Sequence, residues 1–437
     1  MEVASRPKCR PGAVRRWTPP ESPSRACSAK ALRLRVMTNN RIWSPWAKRW
    51  SLDPQIVFLN HGSFGACPVA VLTAQRAIQV QMERSPVAFM VRELPELLDR
   101  ARGKIARFVG ADPAGIAFVE NATSGVNIAL RCSRLCQGER VLVLDHGYNA
   151  CLNAADAIAE QAGAFVDRVA LPLDDPDGDL LMERLDGART PQTTTLVIDH
   201  ITSQSALIVP VERVCRWAKD HSVRVIIDGA HAPGHIQLDI ESLGCAFYTG
   251  NLHKWVCAPK GAAILWVAQE FRDSALPLTI SHGYNDISGD LPPIHRQFDW
   301  RGTHDPSAAI ASAVALEVMA EMHPDGWPGI MAHNHQQAQL WAAELCEAID
   351  GLEPLGTPSQ RGAMVTLRLP QTTGFGQSTC RGVHPLQDWL WHHHQVEVPV
   401  FPGIAVDETW FRISSQLYLG AEAHLPLRDG LHAWQDA

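Results

Sequence analysis

Lys254 and Asp228 are the residues whose types and spacing most directly suggest chemistry. Lys254 lies in the stretch FYTGNLHKWVCAPKGAAILW, where the chain otherwise reads as buried. Asp228 closes the apolar run of VRVIIDGAHAPGH, 26 residues earlier. An amine and a carboxylate at the ends of neighbouring strands suit pyridoxal 5'-phosphate. Its aldehyde needs an amine to form a Schiff base, and its pyridine nitrogen needs a carboxylate to hold the proton that makes the ring an electron sink. Each residue also has a plainer reading: Lys254 as a lysine snorkelling from a strand end, Asp228 as a turn residue capping Ala230 or His231. Their joint occurrence favours the cofactor.

A phosphate dianion needs donors. ENATSGVNIAL starts a helix directly after a strand, so Ala122, Thr123 and Ser124 offer backbone N–H groups and hydroxyls at the positive helix end. A plain N-cap is compatible with the same residues. In ETWFRISSQLYLG, Arg412 sits inside an apolar strand, where a guanidinium requires a partner. WHHHQ and HNHQQ read as solvated helix ends, because consecutive histidines on a helix point in different directions. No metal site is expected.

These residues need a scaffold. Apolar runs at 56–59, 116–119, 141–144, 195–198, 223–227, 246–248 and 262–267 alternate with amphipathic patterns at 69–84, 96–109, 151–162 and 211–220. This predicts an α/β fold with a mostly parallel seven-stranded sheet and helices on both faces. Ligands bind such sheets beyond the carboxyl ends of the strands. There the chain places Asn60 and His61, then residues 120–123, 145–148, 199–200, 228–231 and 249–250. Helical patterns at 306–322 and 327–349 lead to segments 363–369, 384–394 and 410–414 and a last helix, read as a smaller α+β domain. The expected division is a basic N-terminal extension at 1–50, a large domain at 51–310, and linking helices with the small domain at 311–437.

With 437 residues, 46% hydrophobic and 19% charged, the chain can build a large core. No apolar run approaches the roughly 18 residues of a membrane span. The eleven cysteines are scattered without a CxxC pair, which suggests free thiols and a cytoplasmic, reducing compartment. Residues 1–50 hold twelve Lys/Arg against two Glu, so the remainder is acidic, which argues against nucleic acid as a partner. The first 36 residues read as a transit peptide, a disordered tail, or an upstream extension of a chain starting at Met37.

From about residue 51 onward the chain resembles the fold-type I pyridoxal-phosphate enzymes, and among them the class V aminotransferase family. FLNHGSFGACP, DGAHAPG, NLHKW and DWRGTHDPSA are most similar to its isopenicillin N epimerase-like branch. The resemblance implies that Lys254 carries the cofactor and that Asp228 meets the ring nitrogen. It places His231 near the phenolic oxygen, unless it is a turn residue, and His253 on the phosphate. Gly302 and Thr303 would reach the phosphate of a neighbouring subunit, which implies a homodimer with shared sites. Tyr148, or its rival His146, would stack on the ring. Arg412 would grip the substrate α-carboxylate with both prongs, the alternative being an internal ion pair. Side-chain recognition is expected from loops 60–64, which include Asn60 and His61, 281–285 and 400–404.

The freed lysine of such an enzyme acts as a base near Cα, and epimerisation, transamination and elimination diverge after that proton is taken. In desulfurases of the family a loop cysteine shortly before the arginine attacks the substrate sulfur. VEVPVFPGIAVDETWFR contains no cysteine, and Cys380 lies far upstream. Desulfurase chemistry is therefore disfavoured. The expected function is isopenicillin N epimerase-like, on an amino acid or small peptide. The alternatives are a C–S lyase or aminotransferase on the same scaffold, or a non-catalytic binding protein; the joint presence of Lys254, Asp228, His253 and Arg412 speaks against the last.

Overall fold

The computed structural model describes residues 41–286, 288, 291–370, 383–404 and 408–435. The readings of residues 1–36, of a start at Met37 and of Cys380 lie outside the described residues. Seven strands form the main sheet: β1 (Ile116–Val119), β2 (Arg140–Leu144), β3 (Phe165–Val169), β4 (Thr193–Asp199), β5 (Arg224–Asp228), β6 (Phe247–Asn251) and β7 (Ala263–Val267). Their spatial order is β1-β7-β6-β5-β4-β2-β3. Neighbours pair in parallel except around β7, which runs antiparallel to both β1 and β6. Strands β1, β6 and β7 are buried at every position, as strands covered on both faces must be.

Membership of the sheet differs from the sequence reading at one strand. Residues 56–59 contribute only Val57–Phe58, which pair in parallel with Val396–Glu397 instead of joining the sheet. The seventh strand is β3, at an edge. Its exposed Phe165 and half-buried Asp167 give it no continuous apolar run, because one side of an edge strand faces water.

Helices α1 (Val69–Arg84), α2 (Leu94–Val109), α3 (Ala122–Cys132), α4 (Asn149–Ala162), α5 (Asp179–Ala188) and α6 (Val211–Asp220) cover the sheet, with α7 (Ser307–Ala320) packed across α1 and α2. In α2 the buried Leu94, Leu98, Ala101, Ile105 and Val109 recur every three or four residues, which directs one face into the core. Residues of α2, α6 and α7 share one hydrophobic core, and residues of α3 and α4 share another.

The small domain has a third core. Its antiparallel sheet comprises β8 (Glu353–Pro354), β9 (Met364–Arg368), β10 (Val400–Pro402) and β11 (Thr409–Ser414), in the order β10-β11-β9-β8. Helices α8 (Gly326–Ala348) and α9 (Leu425–Gln435) pack with it. Part of the segment read as an N-terminal extension joins this core: Ile42 and Trp50 are buried, and the Gly420 N–H donates to the Ile42 carbonyl at 2.7 Å. Residues 57–65 then cross from the small domain to the Lys254 loop. The Ser414 N–H donates to the Leu59 carbonyl at 2.8 Å. Gly65, at φ +70°, lies so close to the His253 carbonyl that a Cβ there would collide with it.

Candidate active site

The strand registers bring Asp199, Asp228 and Thr249 into one row, Asp199 opposite Asp228 and Asp228 opposite Thr249. Asp228 is buried. Its Oδ1 accepts the Ala230 N–H at 2.9 Å, and its Oδ2 accepts the Cys151 thiol at 3.1 Å. Burial pushes the carboxyl up; Cys151, Ala230 and the Lys254 ammonium pull it back. Asp199 is pushed well up by burial and then by the Asp228 charge.

Lys254 follows β6 on a short loop tied down by Leu252 and His253, whose N–H groups both donate to the Ala262 carbonyl. Its half-buried Nζ donates to His231 Nε2 at 2.9 Å. Burial, and next the Arg412 charge, push Lys254 down to about 7, against the pull of Asp228 and Asp199. A large neutral fraction near neutrality makes the amine a competent nucleophile. His231 is buried and held well below the usual imidazole range by burial, Lys254 and Arg412. As the acceptor from Lys254 it carries its proton on Nδ1, which has no partner among the described residues.

The start of α3 follows β1 with two residues between. Asn121 Oδ1 takes the Ser124 N–H at 2.9 Å, and Asn251 Oδ1 takes the Ala122 N–H at 2.8 Å. The half-buried hydroxyls of Thr123 and Ser124 make no hydrogen bond among the described residues. Gly125 lets α3 approach the sheet, since a Cβ there would meet Thr249. His253 donates through Nδ1 to the Ala262 carbonyl at 3.1 Å, and burial pushes it down to about 4. Its Nε2 is therefore an acceptor while the ring is neutral. Thr303 is exposed, in a surface cleft beside Glu120 and Ile128, apart from the Lys254 group of its own chain.

Arg412, on β11, is buried. Nη1 donates to the Ser203 carbonyl, and Nη2 donates to Ser63 Oγ at 3.0 Å. Its guanidinium lies 5.6 Å from the Phe401 ring centroid. Among the described residues it has no carboxylate partner, and burial pushes it down to about 10. Ser63 donates to Asn60 Oδ1 at 2.5 Å, and Asn60 Nδ2 donates to Glu397 Oε1 at 3.3 Å. This chain has one direction: Glu397 turns the Asn60 oxygen toward Ser63, and Ser63 keeps its lone pair for Arg412.

Residues 70–374 match the family model for aminotransferase class-V. The chain belongs to the class V aminotransferase family. Over 90% of its length it is 28% identical to an isopenicillin N epimerase of Streptomyces clavuligerus, covering 98% of that protein. A putative L-cysteine desulfhydrase of Oryza sativa subsp. japonica is 30% identical, over 86% of this chain and 82% of that one. In fold, the cysteine desulfurase CsdA of Escherichia coli matches with a TM-score of 0.71 at 19% identity, over 90% of this chain and 98% of that one. Class V enzymes use pyridoxal 5'-phosphate, and the donor set here fits it. A buried carboxylate, a lysine amine pushed down to about 7 and an imidazole N–H without a partner among the described residues converge, with two hydroxyls at the start of α3.

Within this class V site the remaining candidates take different positions. His61 is buried under the lysine loop, with Nδ1 at 3.1 Å from the Tyr418 hydroxyl and Nε2 at 3.0 Å from the Lys254 carbonyl. Both nitrogens are engaged, so His61 supports the loop. Asn60 bridges Ser63 and Glu397. Tyr148 is 46% exposed at the start of α4, whereas the His146 ring packs against Trp410 at 5.7 Å. Ser203 and Cys151 are not singled out by the sequence; Asp199 reads there only as one of the strand-end residues, and Ser63 only as part of loop 60–64. Among the described residues no helix is long and apolar enough to cross a membrane.

Proposed function

We propose that the protein is a pyridoxal-phosphate enzyme acting at Cα of an amino acid or small peptide with a free α-amino-carboxylate, with epimerisation of the isopenicillin N epimerase kind as the leading reaction. The observation that carries this reading is the Lys254 amine, hydrogen-bonded to buried His231 at 2.9 Å and lowered to about 7 in part by Arg412, a buried guanidinium without a carboxylate partner among the described residues. The cofactor, when bound, supplies an electron sink that acidifies the Cα proton. Lys254 would hold it, with Asp228 at the ring nitrogen, His231 beside the ring, and Thr123, Ser124 and His253 at the phosphate. Arg412 orients the substrate carboxylate through its two prongs. The Lys254 amine, close to neutral and hydrogen-bonded to His231, takes the Cα proton.

A C–S lyase is the second reading, supported by the desulfhydrase relatives and by the surroundings of the thiols. Cys151 and Cys257 are buried behind Asp228 and against His61, so neither serves a persulfide-forming attack. The homodimer is likewise a proposal, supported by the exposure of Thr303 and of the apolar Phe64, Leu278, Ile280 and Tyr284. Incubation with a panel of amino acids and small peptides in deuterated water separates the reactions. Deuterium at Cα with inverted chirality is expected; keto acid or released thiol would replace epimerisation by transamination or lysis. Borohydride reduction and peptide mapping should tag Lys254, and a tag on Lys260 would overturn the site.

A further inference from the structure

Asp228 is locked from two sides. The Ala230 N–H holds Oδ1 at 2.9 Å and the Cys151 thiol holds Oδ2 at 3.1 Å, so a rotation of the carboxylate loses both contacts. Cys151 lies in the first turn of α4, three residues after Tyr148, whose own N–H serves the neighbouring Asp199. One helical turn thus supplies a donor to each of the two carboxylates that the sheet places side by side. We propose that Cys151 is a positioning residue, its thiol fixing the Asp228 carboxylate in the orientation that receives the cofactor's ring nitrogen. This rests on the pyridoxal-phosphate reading of the site.

Three features support a role beyond packing. Cys151 is 4% exposed, and water does not compete for its proton. Burial and the Asp228 charge push the thiol far up, so it stays an S–H donor. A carboxylate has about four acceptor positions, so the two donors leave room for a third, the pyridinium N–H. Each donor stabilises the ionised carboxylate, which keeps the proton on the ring. Asp199, opposite Asp228 in register, is itself pushed well up by burial and then by the Asp228 charge, so the ionised form of the pair is centred on Asp228.

The test compares Cys151→Ser, which keeps a donor, with Cys151→Val, which keeps bulk without one. Wild type comes first: if it takes up no pyridoxal phosphate, the functional reading fails and this inference with it. Otherwise, titration of cofactor-free protein with pyridoxal phosphate should give dissociation constants within about twofold for Cys151→Ser. For Cys151→Val the constant should rise about five- to tenfold, the scale of one lost hydrogen bond. Magnetic resonance of the isotopically labelled ring nitrogen should show pyridinium in wild type and Cys151→Ser and a shift toward the unprotonated ring in Cys151→Val. Wild-type affinity and ring signal in Cys151→Val overturn the proposal, whatever the melting temperature does. Equal losses in Ser and Val overturn it as well, since bulk alone would then be at stake. If Cys151→Val does not fold, Cys151→Ala is read by the same two measures.

Discussion

Arg102 and Arg412 are both buried guanidiniums, and the fold treats them in opposite ways. Arg102, on α2, grips Asp299 through Nη2 at 2.6 and 2.7 Å and also pairs with Asp99. Arg412 has a carbonyl, a hydroxyl and an aromatic face. Both lie over rings, Phe118 and Phe401. One charge is neutralised by the chain itself; the other has no carboxylate partner among the described residues, which is what the proposed grip on a substrate anion rests on. A desolvated cation without a counter-ion is a stored electrostatic demand, and it marks a binding site better than burial or residue type does.

The largest effect should come from breaking the completed pair. Asp299→Ala leaves the buried Arg102 with only the exposed Asp99 as partner, and is expected to destabilise the fold by up to about 3–5 kcal/mol in denaturant unfolding, with no change in preference for substrate acid over amide. Arg412→Lys should do the reverse. It is expected to weaken binding of the carboxylate substrate by about 1.5–3 kcal/mol, roughly ten- to a hundredfold in Michaelis constant, with little change in melting temperature. A less stable variant with unchanged acid-to-amide discrimination would show that Arg412 belongs with Arg102.

Ser63→Ala should have a smaller effect of the same kind, about 1 kcal/mol in substrate affinity, because it removes one acceptor of the Arg412 fork. An unchanged acid-to-amide ratio in this variant would disconnect Ser63 from the grip. The smallest effect is on pH dependence. Lys254 titrates at about 7 in the folded chain against an ordinary 10.5, so between these values the unfolded chain binds more protons, and stability rises with pH. Arg412→Met removes one cause of the depression, so the folded pKa should move up and the window of rising stability should narrow from its lower end. Unfolding midpoints across this range check it; an unchanged onset would separate the two residues.

Much of the large domain was readable because buried parallel strands write continuous apolar runs, and because Asp228 and Lys254 fall just beyond two of them. The edge strand β3 hid among its polar residues. Residues 56–59 look like a sheet strand but have only Val396–Glu397 to pair with, more than three hundred positions away. The same distance hides the support of the site. Ser63 reaches Arg412 across 349 positions, and Cys151 reaches Asp228 across 77. Neither a serine in a turn nor a cysteine in a helix carries a local mark of its partner. His61 was visible as a polar residue after an apolar run, but its orientation, under the loop, is set by Tyr418 near the other end of the chain.

The crossing of residues 57–65 from the small domain to the lysine loop also sets an order of assembly. As the chain leaves the ribosome, the groups bonded to the Asp228 carboxylate and to the Lys254 amine, from Cys151 to Lys254, emerge as one block. Ser63 precedes that block, but the guanidinium it holds emerges more than three hundred residues later. A nascent chain released before β11 would contain the parts proposed to hold a cofactor and lack the arginine proposed to hold a substrate. On that proposal, competence to bind the one precedes competence to use it, and the synthesis of β11 completes both the small sheet and the grip.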